Sequence, residues 1–267
     1  SLVGAVEFGS FTRHPRIGNS GTVMWRDQTT YSTQNRVGLK NPGAVAAAAF
    51  LYIKLNQLPK IFGINIAMSP GVDDPDREKQ DVIEAVNAFL MRGIYPSWFT
   101  LNISCPNTED DPEGNQTESG ARTLCEAVVN LLKTAQEEIG NHIPLWVKVS
   151  PSLSSAQYEG LMHAFHETGV KAVIATNTLP ASTPDKNAHI AGVGGGRLHS
   201  EAVKATQLLV GYAKKHDYAL DVVGCGGVQD PQTYHDFVHA GADVVQYWSS
   251  MIYRGPLVAA LILNDLK

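Results

Sequence analysis

The segment SWFTLNISCPNT, residues 97–108, begins as an apolar and aromatic run and ends in loop residues. Its first half is typical of a buried β-strand. A helical pattern follows over residues 120–139, and PLWVKVS at 144–150 is a second strand. Two strands joined by a helix of this length run parallel in one sheet. The segment also places Cys105, one of only three cysteines, at the point where the strand stops.

The same strand–helix unit recurs along the chain. Seven strands are predicted, at residues 2–8, 61–68, 97–104, 144–150, 171–177, 218–225 and 242–248. This alternation predicts the α/β class, with a parallel sheet and helices outside it. We expect a (β/α)8 TIM barrel that forms a single domain over residues 1–267, with seven of the eight units visible. A doubly wound open sheet is the alternative.

Composition excludes several classes of function. The net charge is −5, with 21 Lys and Arg against 26 Asp and Glu, which argues against a nucleic-acid partner and a basic membrane-binding surface. The longest apolar stretches, such as residues 44–53, are shorter than the roughly 20 residues of a membrane helix. Three distant cysteines without a C-x-x-C pair argue against a disulfide framework and a metal site. We therefore expect a cytoplasmic protein without a membrane span.

Amide side chains follow several predicted strands. Active sites of barrels form at the carboxyl ends of the strands, where this chain places Asn65, Asn102, Asn107 and Asn177. A single asparagine there is most often a turn or cap residue. Several on one rim favour a flat, neutral, imide-like ligand, because an amide both donates and accepts hydrogen bonds.

Glycines after the last two strands indicate a phosphate group. GCGG at 224–227 and WSS at 248–250 each precede a predicted helix, and GVGGG at 192–196 would add further N–H groups. Bare backbone N–H groups and a helix N-terminus together bind anions. One Gly-Gly pair alone would only indicate a tight turn.

Lys148 lies in the middle of a predicted strand, between Val147 and Val149. From such a position a lysine can extend outward to solvent. If it points inward, its ammonium needs an anion, which a phosphate-tailed cofactor that becomes anionic on reduction would supply. A Schiff-base lysine is the third reading, because burial lowers the pKa of an amine.

In order and spacing, these motifs resemble the dihydroorotate dehydrogenases. The motifs are LNISCPNT, VKVSP, ATNT, GVGGG, VVGCGGV and GADVVQYWSS, at residues 101–108, 147–151, 175–178, 192–196, 222–228 and 241–250. GSFTRHPRIGN at 9–19 and NRVGLKNPG at 35–43 are similar to the early substrate loops of that family. The resemblance implies a barrel with the cofactor FMN that oxidises dihydroorotate to orotate in pyrimidine biosynthesis. It leaves open a homodimer and the electron acceptor, which would be fumarate, NAD through a partner subunit, or quinone.

The resemblance also implies a role for each polar residue. Cys105 would be the catalytic base that removes a proton from the substrate while a hydride passes to the flavin, and Lys148 would offset charge on the reduced ring. Cysteine is typical of the soluble members, and serine of the quinone-linked ones. Substrate would be bound by Asn35, Asn102, Asn107, Asn177 and Thr178. Cofactor would be bound by Asn65, Lys148, Thr176, Gly194, Gly195, Gly226, Gly227, Trp248 and Ser249. Residues 106–120 would form a lid with Gly114 and Gly120 as hinges.

Three features depart from the family's pattern. The chain begins where the family's second strand begins, so we expect residues 2–8 and 242–248 to face each other across a gap without pairing. A family lysine that touches flavin and substrate is replaced at the candidate positions Gly9 and His14, next to Arg13. The lid is acidic and long. The alternatives are therefore a flavoenzyme for another dihydropyrimidine, a Schiff-base lyase, and a barrel that binds a ligand without catalysis.

Overall fold

The computed structural model describes residues 3–72, 74–104, 117–186 and 189–266, and within them the chain alternates strands and helices. The strands are β1 (Val6–Phe11), β2 (Met24–Asp27), β3 (Ser32–Asn35), β4 (Phe62–Ala67), β5 (Trp98–Asn102), β6 (Leu145–Val149), β7 (Ala172–Ala175), β8 (Leu179–Ser182), β9 (Ile190–Gly195), β10 (Asp221–Cys225) and β11 (Val244–Gln246). The α-helices are α1 (Ala44–Ile53), α2 (Pro75–Leu90), α3 (Glu118–Ile139), α4 (Ser155–Thr168), α5 (Gly196–His216), α6 (Pro231–His239), α7 (Ser249–Arg254) and α8 (Val258–Asp265). In these described segments no helix is long and apolar enough to cross a bilayer.

Seven strands form one parallel sheet in the order β1-β4-β5-β6-β7-β10-β11. This confirms the predicted α/β class, and each predicted strand has a counterpart. The order follows the chain, with β1 at an edge, whereas a doubly wound sheet has its first strand inside. Within the described residues no ladder joins β1 to β11, so these two strands are the edges of the sheet, as expected.

The two faces of the sheet differ because successive side chains of a strand point in opposite directions. Ile64, Phe99 and Val147 belong to the main apolar core, together with side chains from α1 to α5. Burial of each such side chain contributes about 1.5–3 kcal/mol. The alternate residues, among them Thr100 and Lys148, point to the inner face, where polar groups are concentrated.

A second sheet, antiparallel in the order β2-β3-β9-β8, was not expected from the sequence. β2 and β3 lie between β1 and α1, and β8 and β9 lie between β7 and α5. Both insertions therefore follow the carboxyl ends of barrel strands, and the pairing of β3 with β9 joins them. Three of these strands escape sequence analysis because they have only four residues each, and the ladder of β3 with β9 joins segments far apart in the chain.

Gly63 on β4 makes room for the indole of Trp98 at the inner face. A Cβ at position 63 would lie 2.1 Å from Cε2 of Trp98. The indole cannot easily move, because it stacks on Trp146 at a ring-centroid distance of 4.3 Å and its Nε1 donates to Glu7 at 3.0 Å. The strand therefore requires glycine at this position.

We predict that Gly63→Ala lowers the free energy of unfolding by about 1–3 kcal/mol, because the added methyl group overpacks a fixed indole. Gly211→Ala is the matched control: it lies inside α5, its added Cβ would meet no atom within 4 Å, and alanine favours a helix by about 0.5–1 kcal/mol. Denaturant unfolding of both variants measures the difference. If Gly63→Ala proves as stable as Gly211→Ala, the Trp98 ring is free to move.

Candidate functional site

Three of the predicted amides are joined in one hydrogen-bond network on the inner face. Nδ2 of Asn177 donates to Oδ1 of Asn102 at 3.2 Å and to the carbonyl oxygen of Ser104 at 2.6 Å. Nδ2 of Asn102 donates to Oγ of Ser10 at 3.3 Å, and that hydroxyl donates to Oδ1 of Asn65 at 2.5 Å. The network thus extends from β1 and β4 to the residues that follow β7.

Glu7 on β1 ends this network as an acceptor of three hydrogen bonds. Its Oε1 accepts from Nδ2 of Asn65 at 2.9 Å. Its Oε2 accepts from Nε1 of Trp98 at 3.0 Å and from Oγ1 of Thr100 at 2.6 Å. A carboxylate inside a protein is tolerated when donors surround it in this way. The sequence alone does not identify Glu7, although a lone carboxylate within the apolar run VEF was an available signal.

The carboxylate fixes the direction of every bond in the network, because an ionised Glu7 only accepts. Asn65 must therefore turn Nδ2 toward Glu7 and Oδ1 toward Ser10. The hydroxyl hydrogen of Ser10 is then used, so Ser10 accepts from Nδ2 of Asn102. Oδ1 of Asn102 is consequently left to accept from Asn177.

Lys148 points into the same face. It pairs in register with Asn102, and its Nζ lies 3.8 Å from Sγ of Cys225 on β10. Among the described residues its ammonium forms no ion pair. The alternative in which Lys148 extends outward to solvent is therefore wrong. Its partly buried ammonium is available to an anionic ligand.

The predicted glycine loops touch each other. A Cβ on Gly227 would lie 2.6 Å from the carbonyl oxygen of Gly195, and one on Gly226 would lie 2.6 Å from Cβ of Ala202. Gly195 and Gly227 have φ values of 85° and 72°, which favour glycine. Gly194 adjoins this contact, since a Cβ there would lie 3.3 Å from Oγ of Ser249.

The helix after GCGG does not provide the predicted anion site. Asp230 caps α6, and its side chain accepts from the N–H of Thr233 at 2.8 Å. A carboxylate at this position satisfies the first turn and repels an anion. The groups of this loop that can bind a phosphate are the N–H groups of the glycines.

Buried hydroxyls without a partner mark places for a ligand. Within the described part of the chain, Oγ1 of Thr178 and Oγ of Ser250 are buried and form no hydrogen bond. Such atoms are rare in folded proteins and call for an explanation. Ser249, next to Ser250, is bonded to Oγ1 of Thr33 at 2.9 Å, which ties α7 to the antiparallel sheet.

Other predicted residues lie nearby in different states. Asn35 ends β3 opposite Gly192. Thr176 is buried and already bonded, donating its N–H to the carbonyl of Cys225 at 2.8 Å and its hydroxyl to the carbonyl of Asn177 at 2.8 Å. The side chain of Trp248 is half exposed.

Several predictions concern the segment after β5. Cys105, Asn107, Gly114 and most of the expected lid lie outside the described residues. Gly120, expected to be a hinge, is instead part of the first turn of α3, where its N–H donates to Oγ1 of Thr117 at 3.2 Å.

Arg13, next to the candidate positions of the family lysine, is already paired. It forms an ion pair with Glu84 on α2, with Nε and Oε2 2.5 Å apart. Its positive charge is therefore already matched by a carboxylate of the protein.

The family model described as dihydroorotate dehydrogenase matches residues 1–267. The chain belongs to the dihydroorotate dehydrogenase family. A dihydroorotate dehydrogenase (quinone) of Haloarcula marismortui is 31% identical over 268 residues, which cover 99% of this chain and 71% of that protein. Its counterpart in Allorhizobium ampelinum is 29% identical over 267 residues, with the same two shares.

Solved structures of the family share the fold. The dihydroorotate dehydrogenase of Eimeria tenella in complex with ferulenol superposes with a TM-score of 0.81 at 22% identity, over 98% of this chain and 74% of that one. The ligand-free form gives 0.82. This likeness confirms the predicted TIM-barrel class. The curled seven-stranded sheet corresponds to the sheet of that barrel. The names of both relatives specify quinone.

We predict that Glu7→Gln and Ser10→Ala each lower the free energy of unfolding by about 1–3 kcal/mol, and that their effects are not additive. In Glu7→Gln the new side-chain amide can present a donor to Nδ2 of Asn65, so the Asn65 amide must turn over. In Glu7→Gln the hydroxyl of Ser10 has therefore already lost its acceptor, so its removal costs less in the double variant.

A double-mutant cycle measured by denaturant unfolding tests this order of bonds. The double variant should be clearly more stable than the sum of the two single changes implies. Additive changes would show that Glu7 does not set the orientation of Asn65.

Proposed function

We propose that the protein is an FMN-dependent oxidoreductase that oxidises dihydroorotate to orotate in pyrimidine biosynthesis. The observation that carries this proposal is the oriented network of Asn65, Asn102 and Asn177 beside the ammonium of Lys148, which forms no ion pair among the described residues. Amides suit the imide edges of a pyrimidine and of a flavin, since both alternate donors and acceptors. Membership of the family and the names of its curated relatives support the same reaction.

The described residues fit a flavin mononucleotide. The glycines and Ser249 would hold its phosphate end, and Asn65 and Lys148 would hold its ring, with Thr176 and Trp248 beside them. The hydroxyls of Thr178 and Ser250, which form no hydrogen bond within the described residues, are suited to ligand contacts. When bound, the flavin would accept a hydride from the substrate.

The chain's own residues would orient the substrate and remove its proton. Asn102 and Asn177 would bind the pyrimidine, together with Asn35, Asn107 and Thr178. Asn177 is held on both sides, since its Oδ1 accepts from the N–H of Thr178 at 2.8 Å. Fixed amides of this kind reduce the reorganisation needed when the substrate reacts.

Cys105 would act as the base. It follows Ser104, whose Oγ donates to the carbonyl of Lys148 at 3.0 Å and whose carbonyl accepts from Asn177. The strand is thus anchored up to the residue before the cysteine. Lys148 would offset the negative charge of the flavin ring in its reduced state.

Narrower expectations belong to this proposal. The chain would act as a single domain over residues 1–267, in the cytoplasm, on a small-molecule substrate, and a homodimer is one assembly to test by light scattering. The acceptor is decided by comparing fumarate, NAD and a soluble quinone in the same assay. Cys105 favours a soluble acceptor, and the names of the relatives favour quinone.

We predict that Cys105→Ala retains flavin but oxidises dihydroorotate about 10²–10⁴-fold more slowly, because the base is lost. Cys105→Ser should keep a remnant of activity with its optimum at higher pH, since an alcohol is a weaker acid than a thiol. Steady-state rates normalised to bound flavin measure both effects.

Cys125→Ala is the control. Burial raises the pKa of the Cys125 thiol, so that side chain stays protonated and its removal should leave the rate per flavin unchanged. Near-normal turnover of Cys105→Ala would refute the assignment of the base.

A further inference from the structure

His199 contacts the turn after β10 through one ring nitrogen and α6 through the other. Its Nδ1 lies 2.9 Å from the carbonyl oxygen of Gly226, and its Nε2 lies 2.9 Å from Oδ2 of Asp236. The side chain is 16% exposed and meets the ring of Phe237 edge-on, with the centroids 5.4 Å apart. The resemblance of the sequence to the family gave this histidine no role.

Both neighbours of the ring are acceptors, so both ring nitrogens must donate. A neutral imidazole carries one N–H, and only the imidazolium carries two. Turning the ring over would place carbon atoms against the two oxygens. The geometry therefore fits a positively charged His199 paired with a carboxylate.

The neighbours on α6 support that charge. Asp236 faces the ring, and its pKa is lowered chiefly by the hydrogen bond from His199. Gln232 donates to the other oxygen of Asp236 at 2.9 Å, and the nearby His239 also lowers the pKa of this carboxyl. Asp236 is thus held as an acceptor for His199.

The bond to Gly226 sets the orientation of the next N–H group. In a trans peptide the carbonyl of Gly226 and the N–H of Gly227 point in opposite directions, so a carbonyl held toward α5 aims that N–H away from it. Among the residues that the structure describes, neither Gly226 nor Gly227 donates its N–H to a protein acceptor. Both glycines are buried. Buried N–H groups without partners indicate a ligand with acceptor oxygens.

We propose that His199, held by Asp236, is a positioning residue that turns the N–H group of Gly227 toward the phosphate of the cofactor. The inference rests on the flavin mononucleotide proposed above. His199 acts through the peptide that it holds and does not itself touch the reacting atoms.

Two substitutions separate positioning from charge. The amide nitrogen of asparagine reaches about as far as Nδ1, and that of glutamine about as far as Nε2. His199→Asn therefore keeps a donor for Gly226, His199→Gln keeps one for Asp236, and both lose the positive charge.

Binding of FMN and of riboflavin, which lacks the phosphate, is measured by quenching of flavin fluorescence. We expect FMN affinity to fall about tenfold in His199→Gln and to stay within about threefold of wild type in His199→Asn. Riboflavin affinity should be the same in all three proteins, because the turn would contact only the phosphate end. Equal losses of FMN affinity in both variants, or parallel losses for riboflavin, would overturn the positioning role.

The wild-type protein distinguishes this inference from the proposed function. If it binds FMN and riboflavin equally well and the variants do not change this, the inference fails and the flavin function stands. If it binds neither flavin, both fail. NMR of ¹⁵N-histidine-labelled protein, assigned with His199→Asn, gives a separate readout. Two protonated ring nitrogens at neutral pH, lost in Asp236→Asn, are expected, and a singly protonated ring in the wild-type protein would refute the charged pair.

Discussion

The carboxylate of Glu7, which accepts three hydrogen bonds inside the sheet, is the constraint on which the candidate site depends. An asparagine amide alone has no preferred direction, because its oxygen and nitrogen ends are nearly the same size. An anion at one end of a chain of such groups gives all of them a direction. Through Ser10, that direction reaches Asn102 and Asn177, which would meet the substrate.

The site has two parts: an inner part on the parallel sheet, and a rim of glycine turns and short antiparallel strands. The inner part is built on neighbouring parallel strands, whose register places Lys148 beside Asn102 and fixes both against a dense outer core. The rim consists of the glycine turns and the small antiparallel sheet, joined by the bond between Thr33 and Ser249. Such a division suits a ligand with a flat, neutral ring at one end and an anion at the other.

Sequence reasoning recovered what depends on local periodicity. Alternating strands and helices predicted the parallel sheet, and amides placed after apolar runs predicted Asn65, Asn102 and Asn177 as one group. It could not recover contacts made across the chain. The pairing of β3 with β9, the bond from Glu7 to Thr100 and the contact of His199 with Gly226 each join residues whose proximity no short motif encodes. Gly120, predicted to be a hinge from its place in the sequence, belongs instead to the first turn of α3.

The central claim is that the inner face, with its oriented amides and the Lys148 ammonium, binds a flavin that dihydroorotate reduces. The most direct measurement is the absorbance of bound flavin after anaerobic mixing with dihydroorotate, in the wild type, Lys148→Ala and Lys171→Ala. Lys171, exposed and directly before β7, controls for the loss of one positive charge. The account predicts rapid bleaching in the wild type and in Lys171→Ala, and weak flavin binding or slow bleaching in Lys148→Ala. A wild-type protein that holds no flavin, or a flavin that dihydroorotate leaves oxidised, would contradict it.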